Sequence, residues 1–150
     1  MAHTVEQLMT PYPIVVDVAT PITQCARVME DRDIGALGVM REGELVGVLT
    51  DRDIVVRVIA RERDPRTTTA GDIATTEVVS VGVDASIDDA EARMIASAVR
   101  RVFVMAEDGR ALGILTLDDL IAFRDPQSIV AQQIGEYGIV RGDQGFTRGN

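Results

Sequence analysis

Residues 43–53 of this chain recur 66 positions later, and that repetition constrains the fold more than any other feature of its 150 residues. Gly43, Gly47, Thr50 and Asp53 match Gly109, Gly113, Thr116 and Asp119. Upstream the match continues 65 positions apart: Thr10 with Thr75, Ile14 with Val79, Ile22 with Ile87, Met29 with Met94, Ile34 with Val99. The one-residue change falls near Arg41-Glu42-Gly43, a turn sequence where an insertion is tolerated. A duplicated unit of this length predicts two copies of one supersecondary structure. The copies span 5–60 and 70–125, with a polar linker at 61–69 and a tail at 126–150 that is rich in glycine beyond Gln133.

Each copy reads as β-α-β-β-α, so the expected class is mixed α+β (α/β). A short strand opens it (Ile14-Val15-Val16; Val78-Val79-Ser80-Val81). A helix follows, with Thr20 as N-cap ahead of Pro21 in the first copy and Ser86 as N-cap in the second. The expected apolar stripes are Ile22, Ala26 and Met29, and Ile87, Ala90 and Met94. Two strands joined by a glycine turn come next, Ala36 to Met40 with Leu45 to Leu49, and Val102 to Met105 with Ala111 to Leu115. A second helix starts after Thr50 and after Thr116. Runs such as Val46-Gly47-Val48-Leu49 are apolar on both faces, which predicts a sheet covered on both sides. One unit is too small to cover its own sheet. Two copies facing each other across a pseudo-twofold axis would.

Composition narrows the chemistry. The core is aliphatic, since 46% of residues are hydrophobic and 3% aromatic. The formal charge of −9 and the lack of a basic run argue against gripping nucleic acid, which needs a concentrated positive face. All 15 basic residues are arginine, so lysine Schiff-base chemistry and a Walker-type phosphate loop are excluded. One cysteine (Cys25) and one histidine (His3) allow neither an intrachain disulfide nor a His/Cys zinc cage within one chain. No catalytic residues, metal site or cofactor are expected, and the chain is not read as an enzyme. Cys25, beside the stripe residues, reads as a buried inert thiol, and Met29, Met40, Met94 and Met105 as core fillers. There is no signal-peptide pattern and no apolar stretch of membrane-spanning length. A cytoplasmic, reduced protein is the expectation.

The segment Gly47-Val48-Leu49-Thr50-Asp51-Arg52-Asp53 carries the candidate chemistry. A strand ends and a helix begins with a hydroxyl and a carboxylate three residues apart. Such a junction suits an anion at the helix start and a ribose diol on the carboxylate. Glycine in the strand permits close approach of another group. The same Thr-x-x-Asp is also an ordinary capping box, in which each residue satisfies a backbone N–H of the other. Both readings apply at Thr50/Asp53 and at Thr116/Asp119. Asp118, adjacent to Asp119, points to another helix face, and Asp88-Asp89 reads as favourable charge in a first turn.

Ile34-Gly35-Ala36-Leu37, a hairpin, then Gly43-x-x-x-Gly47-Val48-Leu49-Thr50-x-x-Asp53 resembles the CBS domain, and its repetition resembles a CBS-domain pair (a Bateman module). The run Leu49 to Ile54, with Asp64-Pro65 and Thr69-Ala70-Gly71-Asp72, is similar to small stand-alone bacterial CBS-pair proteins of the hypoxic response type. The resemblance covers about residues 5–125. It implies a regulatory module that binds AMP, ADP, ATP or S-adenosylmethionine in clefts between the repeats. Asp53 and Asp119 would face the ribose, with Thr50 and Thr116 near the phosphate or ribose. The base would rest against Ile34-Gly35-Ala36 and Val99-Arg100-Arg101, and the turn before the first strand would add Thr10 and Ile14, or Thr75 and Val79. Arg100 and Arg101 suit bidentate contact with phosphate. Where many relatives carry a proline this chain has Gly38 and Phe103, the latter read as a core aromatic. The resemblance implies a homodimer and leaves room for an unidentified protein partner. The competing expectation is a ligand-free structural or protein-interaction dimer, with Ile54, Val55, Val58, Ile59, Ile121 and Phe123 as its face.

Overall fold

The computed structural model describes residues 3–132. The expected tail beyond Gln132 lies outside the described residues. The elements run α1 (Val5–Leu8), β1 (Thr10–Pro11), β2 (Val15–Asp17), α2 (Ile22–Arg32), β3 (Ala36–Arg41), β4 (Glu44–Thr50) and α3 (Asp51–Ile54), which continues as a π-helical turn, Val55–Ile59. There follow α4 (Ala70–Ile73), β5 (Ser80–Gly82), α5 (Ile87–Ser97), β6 (Arg101–Met105), β7 (Ala111–Thr116) and α6 (Leu117–Arg124). The β-α-β-β-α order therefore occurs twice, each time preceded by a four-residue helix, α1 or α4, that the expected order did not contain.

Two compact units emerge, and their limits differ from those of the sequence copies. One contains Ile14–Val78, with the sheet β2-β3-β4. The other joins residues 3–13 to residues 79–132, with the sheet β1-β7-β6-β5. The leader of each copy thus belongs to the unit built around the other copy.

Within each sheet the geometry repeats. β2 runs parallel to β3, and β5 parallel to β6, because a helix intervenes. The hairpins β3-β4 and β6-β7 are antiparallel, with register shifts at Val39/Met40 and Val104/Met105. The first hairpin turns through Glu42 and Gly43, both at positive φ, whereas the second takes a longer route to Gly109, also at positive φ. This accounts for the change in offset between the copies.

Leu37, Gly38 and Val39 are all buried, as are Val102, Phe103 and Val104, so both faces of the central strands are dry. On one face of the second sheet Val102, Val104 and Leu115 cluster with Val5, Ile87, Ala90, Met94 and Leu120. Phe103 is a core residue, as expected, on the opposite face beside Ile114.

Two helix details depart from expectation. Pro21, not Thr20, is the N-cap of α2, and no side chain caps it. The orphan N–H groups of Ile22 and Thr23 instead donate to the carbonyls of Thr68 and Pro65, so the segment read as a linker does the capping. The buried stripe of α2 is Ile22, Cys25 and Met29, with Ala26 exposed: the i, i+3, i+7 spacing wins over i, i+4, i+7. Ser86 caps α5 by accepting from Asp89 N–H, as expected. Met29 and Met94 are buried, while Met40 and Met105 are half-buried at the ends of their strands.

Candidate functional site

The two strand-to-helix junctions have the same construction. At the first, Thr50 N–H donates to Asp53 Oδ2 at 2.9 Å and Asp53 N–H donates to Thr50 Oγ1 at 3.1 Å. At the second, Thr116 N–H donates to Asp119 Oδ2 at 2.9 Å and Asp119 N–H to Thr116 Oγ1 at 3.2 Å. Here the Thr116 hydroxyl also donates to Asp119 Oδ2, at 2.9 Å. Both pairs are complete capping boxes. Asp119 is buried and Asp53 half-buried.

The start of the hairpin is tied to each junction. Ala36 lies opposite Thr50, and Asp51 N–H donates to the Gly35 carbonyl at 3.0 Å. Arg101 lies opposite Thr116, and Leu117 N–H donates to the Arg100 carbonyl at 2.8 Å. Ile34 and Val99 reach these positions because α2 and α5 end on left-handed residues, Asp33 and Ala98, after which Ile34 and Val99 N–H close onto Met29 and Met94 carbonyls. Ile14 and Val79 offer their carbonyls to Gly38 and Phe103, each at 3.0 Å.

The candidate residues thus sort into two sets, one per unit. Ile14, Ile34, Gly35, Ala36, Thr50, Asp53 and Thr75 fall in the first, and Thr10, Val79, Val99, Arg100, Arg101, Thr116 and Asp119 in the second. The threonines are exchanged relative to the sequence reading, which placed Thr10 with Ile14 and Thr75 with Val79. Thr10 pairs with Ile114 in β7, and Thr75 forms a bridge with Val48 in β4, each exchanging strand-type contacts with the other copy. The side chains of Val79 and Val99 pack against the helix-side cluster, so these two residues offer a site their backbone rather than their side chains.

The same exchange explains the duplicated glycines. A Cβ on Gly47 would stand 3.0 Å from the Thr75 carbonyl oxygen and 3.2 Å from Ala74 Cβ. One on Gly113 would stand 2.8 Å from the Thr10 carbonyl oxygen and collide with Met9 Sδ. The groups that approach these glycines belong to the leaders: the Thr75 and Thr10 carbonyls, with the side chains of Ala74 and Met9 beside them.

Arg57 was not anticipated. Its Nη1 donates to the Ile73 carbonyl at 2.7 Å, and its Nε stands 3.9 Å from Asp53 Oδ1. The i, i+4 spacing of Asp53 and Arg57 was the available signal. Arg57 therefore links the first junction to the end of α4, just ahead of Thr75. The corresponding position in the second copy is Phe123, whose ring stands edge-on to His3 with centroids 5.0 Å apart. Arg100 is largely exposed, with Nη2 4.0 Å from Asp118 Oδ1, while Arg101 is half-buried at the start of β6. Asp118 and Asp119 face different partners, as adjacent helix positions must.

Cys25 is fully buried, and desolvation pushes its thiol up to about 11. Among the described residues no group of three or more His, Cys, Asp or Glu is placed to hold a metal ion. No helix among them is long and apolar enough to cross a membrane. Of the expected dimer face, Val58 is fully buried and belongs to the core, while Val55 and Ile59 are exposed, joined by the exposed Val56.

Comparison with known proteins gives consistent matches. The CBS domain matches residues 5–60 and again 70–125. Hypoxic response protein 1 of Mycobacterium tuberculosis is 39% identical over 110 residues, 73% of this chain and 76% of that protein. A crystal structure of Hypoxic Response Protein I with two coordinated zinc ions covers 81% of this chain and 98% of its own, with 36% identity and a TM-score of 0.71. The CBS domain pair of protein MJ0100, solved in complex with 5'-methylthioadenosine and S-adenosyl-L-methionine, has the same fold. It shows a TM-score of 0.75 at 23% identity, over 85% of this chain and all of that one.

Proposed function

This chain belongs to the CBS-domain family and carries two copies of the domain, and on that premise we propose that it is a non-enzymatic regulatory module for an adenosine-containing ligand. The candidates are AMP, ADP, ATP and S-adenosylmethionine. The observation that carries the reading is the duplicated junction: in each unit a Thr and an Asp three residues apart sit beside the first residues of the hairpin. Asp53 and Asp119 each place a carboxylate at a helix start, the acceptor chemistry that a ribose diol calls for. Arg100 and Arg101 supply positive charge at the second junction, where a phosphate would be drawn. The MJ0100 pair, of the same fold, was solved with adenosine compounds bound.

A second reading is favoured by the capping itself. Thr and Asp at both junctions already satisfy each other, and exposed Val55, Val56 and Ile59 offer an apolar face for a second copy or a protein partner. In that reading the cytoplasmic module binds no small molecule. Calorimetric titration with AMP, ADP, ATP and S-adenosylmethionine separates the two. Micromolar binding of any one that Asp53→Ala or Asp119→Ala abolishes supports the sensor. A folded protein silent towards all four leaves the interaction module.

A further inference from the structure

We propose that residues 3–11 form an exchangeable arm that completes the second unit's sheet in another copy of this chain as readily as in its own. The arm docks on the unit built on the other copy of the repeat. Val5 is fully buried in the core cluster of β6, β7, α5 and α6, and Met9 lies over Gly113. Val5 N–H donates to the Ala85 carbonyl, Ile87 N–H to the His3 carbonyl, and Thr10 pairs with Ile114.

β1 ends at Pro11, opposite Gly113, and the Tyr12 N–H donates to the Leu112 carbonyl, so the turn to Ile14 is made by Tyr12 and Pro13 alone, and it is strained. Tyr12 has φ of 57°, the left-handed region, which costs a bulky residue and is further disfavoured before a proline. Its side chain is 83% exposed, so burial does not compensate. The corresponding position before the second unit's first strand, Glu77, carries no positive φ. A short strained hinge between an element and its docking site favours exchange, because a second copy offers the same groove while the hinge relaxes to an extended path. The partner is a second copy because the groove fits this arm's own sequence, residue for residue. This exchange is independent of any contact through the Val55 face.

The test uses the full chain in a Cys25→Ala background. Thr10→Cys is placed in one preparation and Ile114→Cys in another. Directly opposed antiparallel residues lie within disulfide reach. A chain carrying both substitutions should close an internal disulfide, which shows that both changes are tolerated and the geometry is right. Mixing the two single variants at high concentration and oxidising should yield a covalent dimer on non-reducing gels. Adding Tyr12→Gly to both, which removes the strain from the closed form, should reduce its yield about tenfold. No covalent dimer from the mixture, with the internal disulfide forming in the double variant, would overturn the exchange. A yield unmoved by Tyr12→Gly would overturn the role of the hinge.

Discussion

Gly47 lies beneath the carbonyl of Thr75, and Gly113 beneath that of Thr10 in the same way. Each glycine belongs to one copy of the repeat and each threonine to the leader of the other. Adding a methyl group at either position should push the leader away. Gly113→Ala should cost about 2–3 kcal/mol and Gly47→Ala about 1–2 kcal/mol, on the scale of overpacked cores. The order follows from the distances, since at Gly113 the new carbon would be 2.8 Å from a backbone oxygen and at Gly47 3.0 Å. Urea unfolding followed by circular dichroism measures both.

The junction acids should differ although their motifs are identical. Asp53→Ala should cost about 1 kcal/mol, the usual worth of a cap. Asp119→Ala should approach 2 kcal/mol, because Asp119 is buried and accepts from both the N–H and the hydroxyl of Thr116. Ligand affinity measured on the same variants tells whether either carboxylate does more than cap.

Alkaline stability should carry the mark of Cys25. Its folded pKa, about 11, lies above the ordinary 9.0, so burial of the neutral thiol stabilises the fold below pH 9. That contribution is lost as pH rises from 9 through 11. Unfolding midpoints recorded across this range should fall more steeply for the wild type than for Cys25→Ala. At pH 8 the native thiol should resist Ellman's reagent until denaturant is added.

Arg124 ties α6 to α5 through Asp88 and Glu91. All three side chains are substantially exposed, so Arg124→Ala should change stability by no more than about 0.5 kcal/mol. A larger loss in chemical denaturation would mean that the aliphatic stem of Arg124, rather than its charge, holds the helices.

The sequence revealed the repeat, the hairpins and the helix starts at Ser86, Thr50 and Thr116, because each rests on local periodicity or a local cap. The helices α1 and α4 are too short to show a periodic stripe. Their signal lay in two further capping boxes, Thr4-x-x-Gln7 and Thr69-x-x-Asp72, once more 65 residues apart. Thr20 was misplaced as a cap because the carbonyls that satisfy α2 come from Pro65 and Thr68, more than 40 residues downstream. Distance in sequence likewise hid the exchange of Thr10 and Thr75, since repeat matching aligns equivalent positions but does not say which sheet an equivalent leader joins. The glycines were recognised as sites of close approach, and only the pairing of β1 with β7, and of Thr75 with Val48, identified the approaching group.

The crossed leaders also bear on how this architecture can be cut and transplanted. A cassette taken at the borders of the repeat, from 5 to 60, would carry an α1 with no groove to fill and leave β4 without the residues that cover Gly47. One taken from Ile14 to Val78 keeps its sheet whole. Anyone grafting half of this chain onto another protein should place the scissors after a leader, not before it.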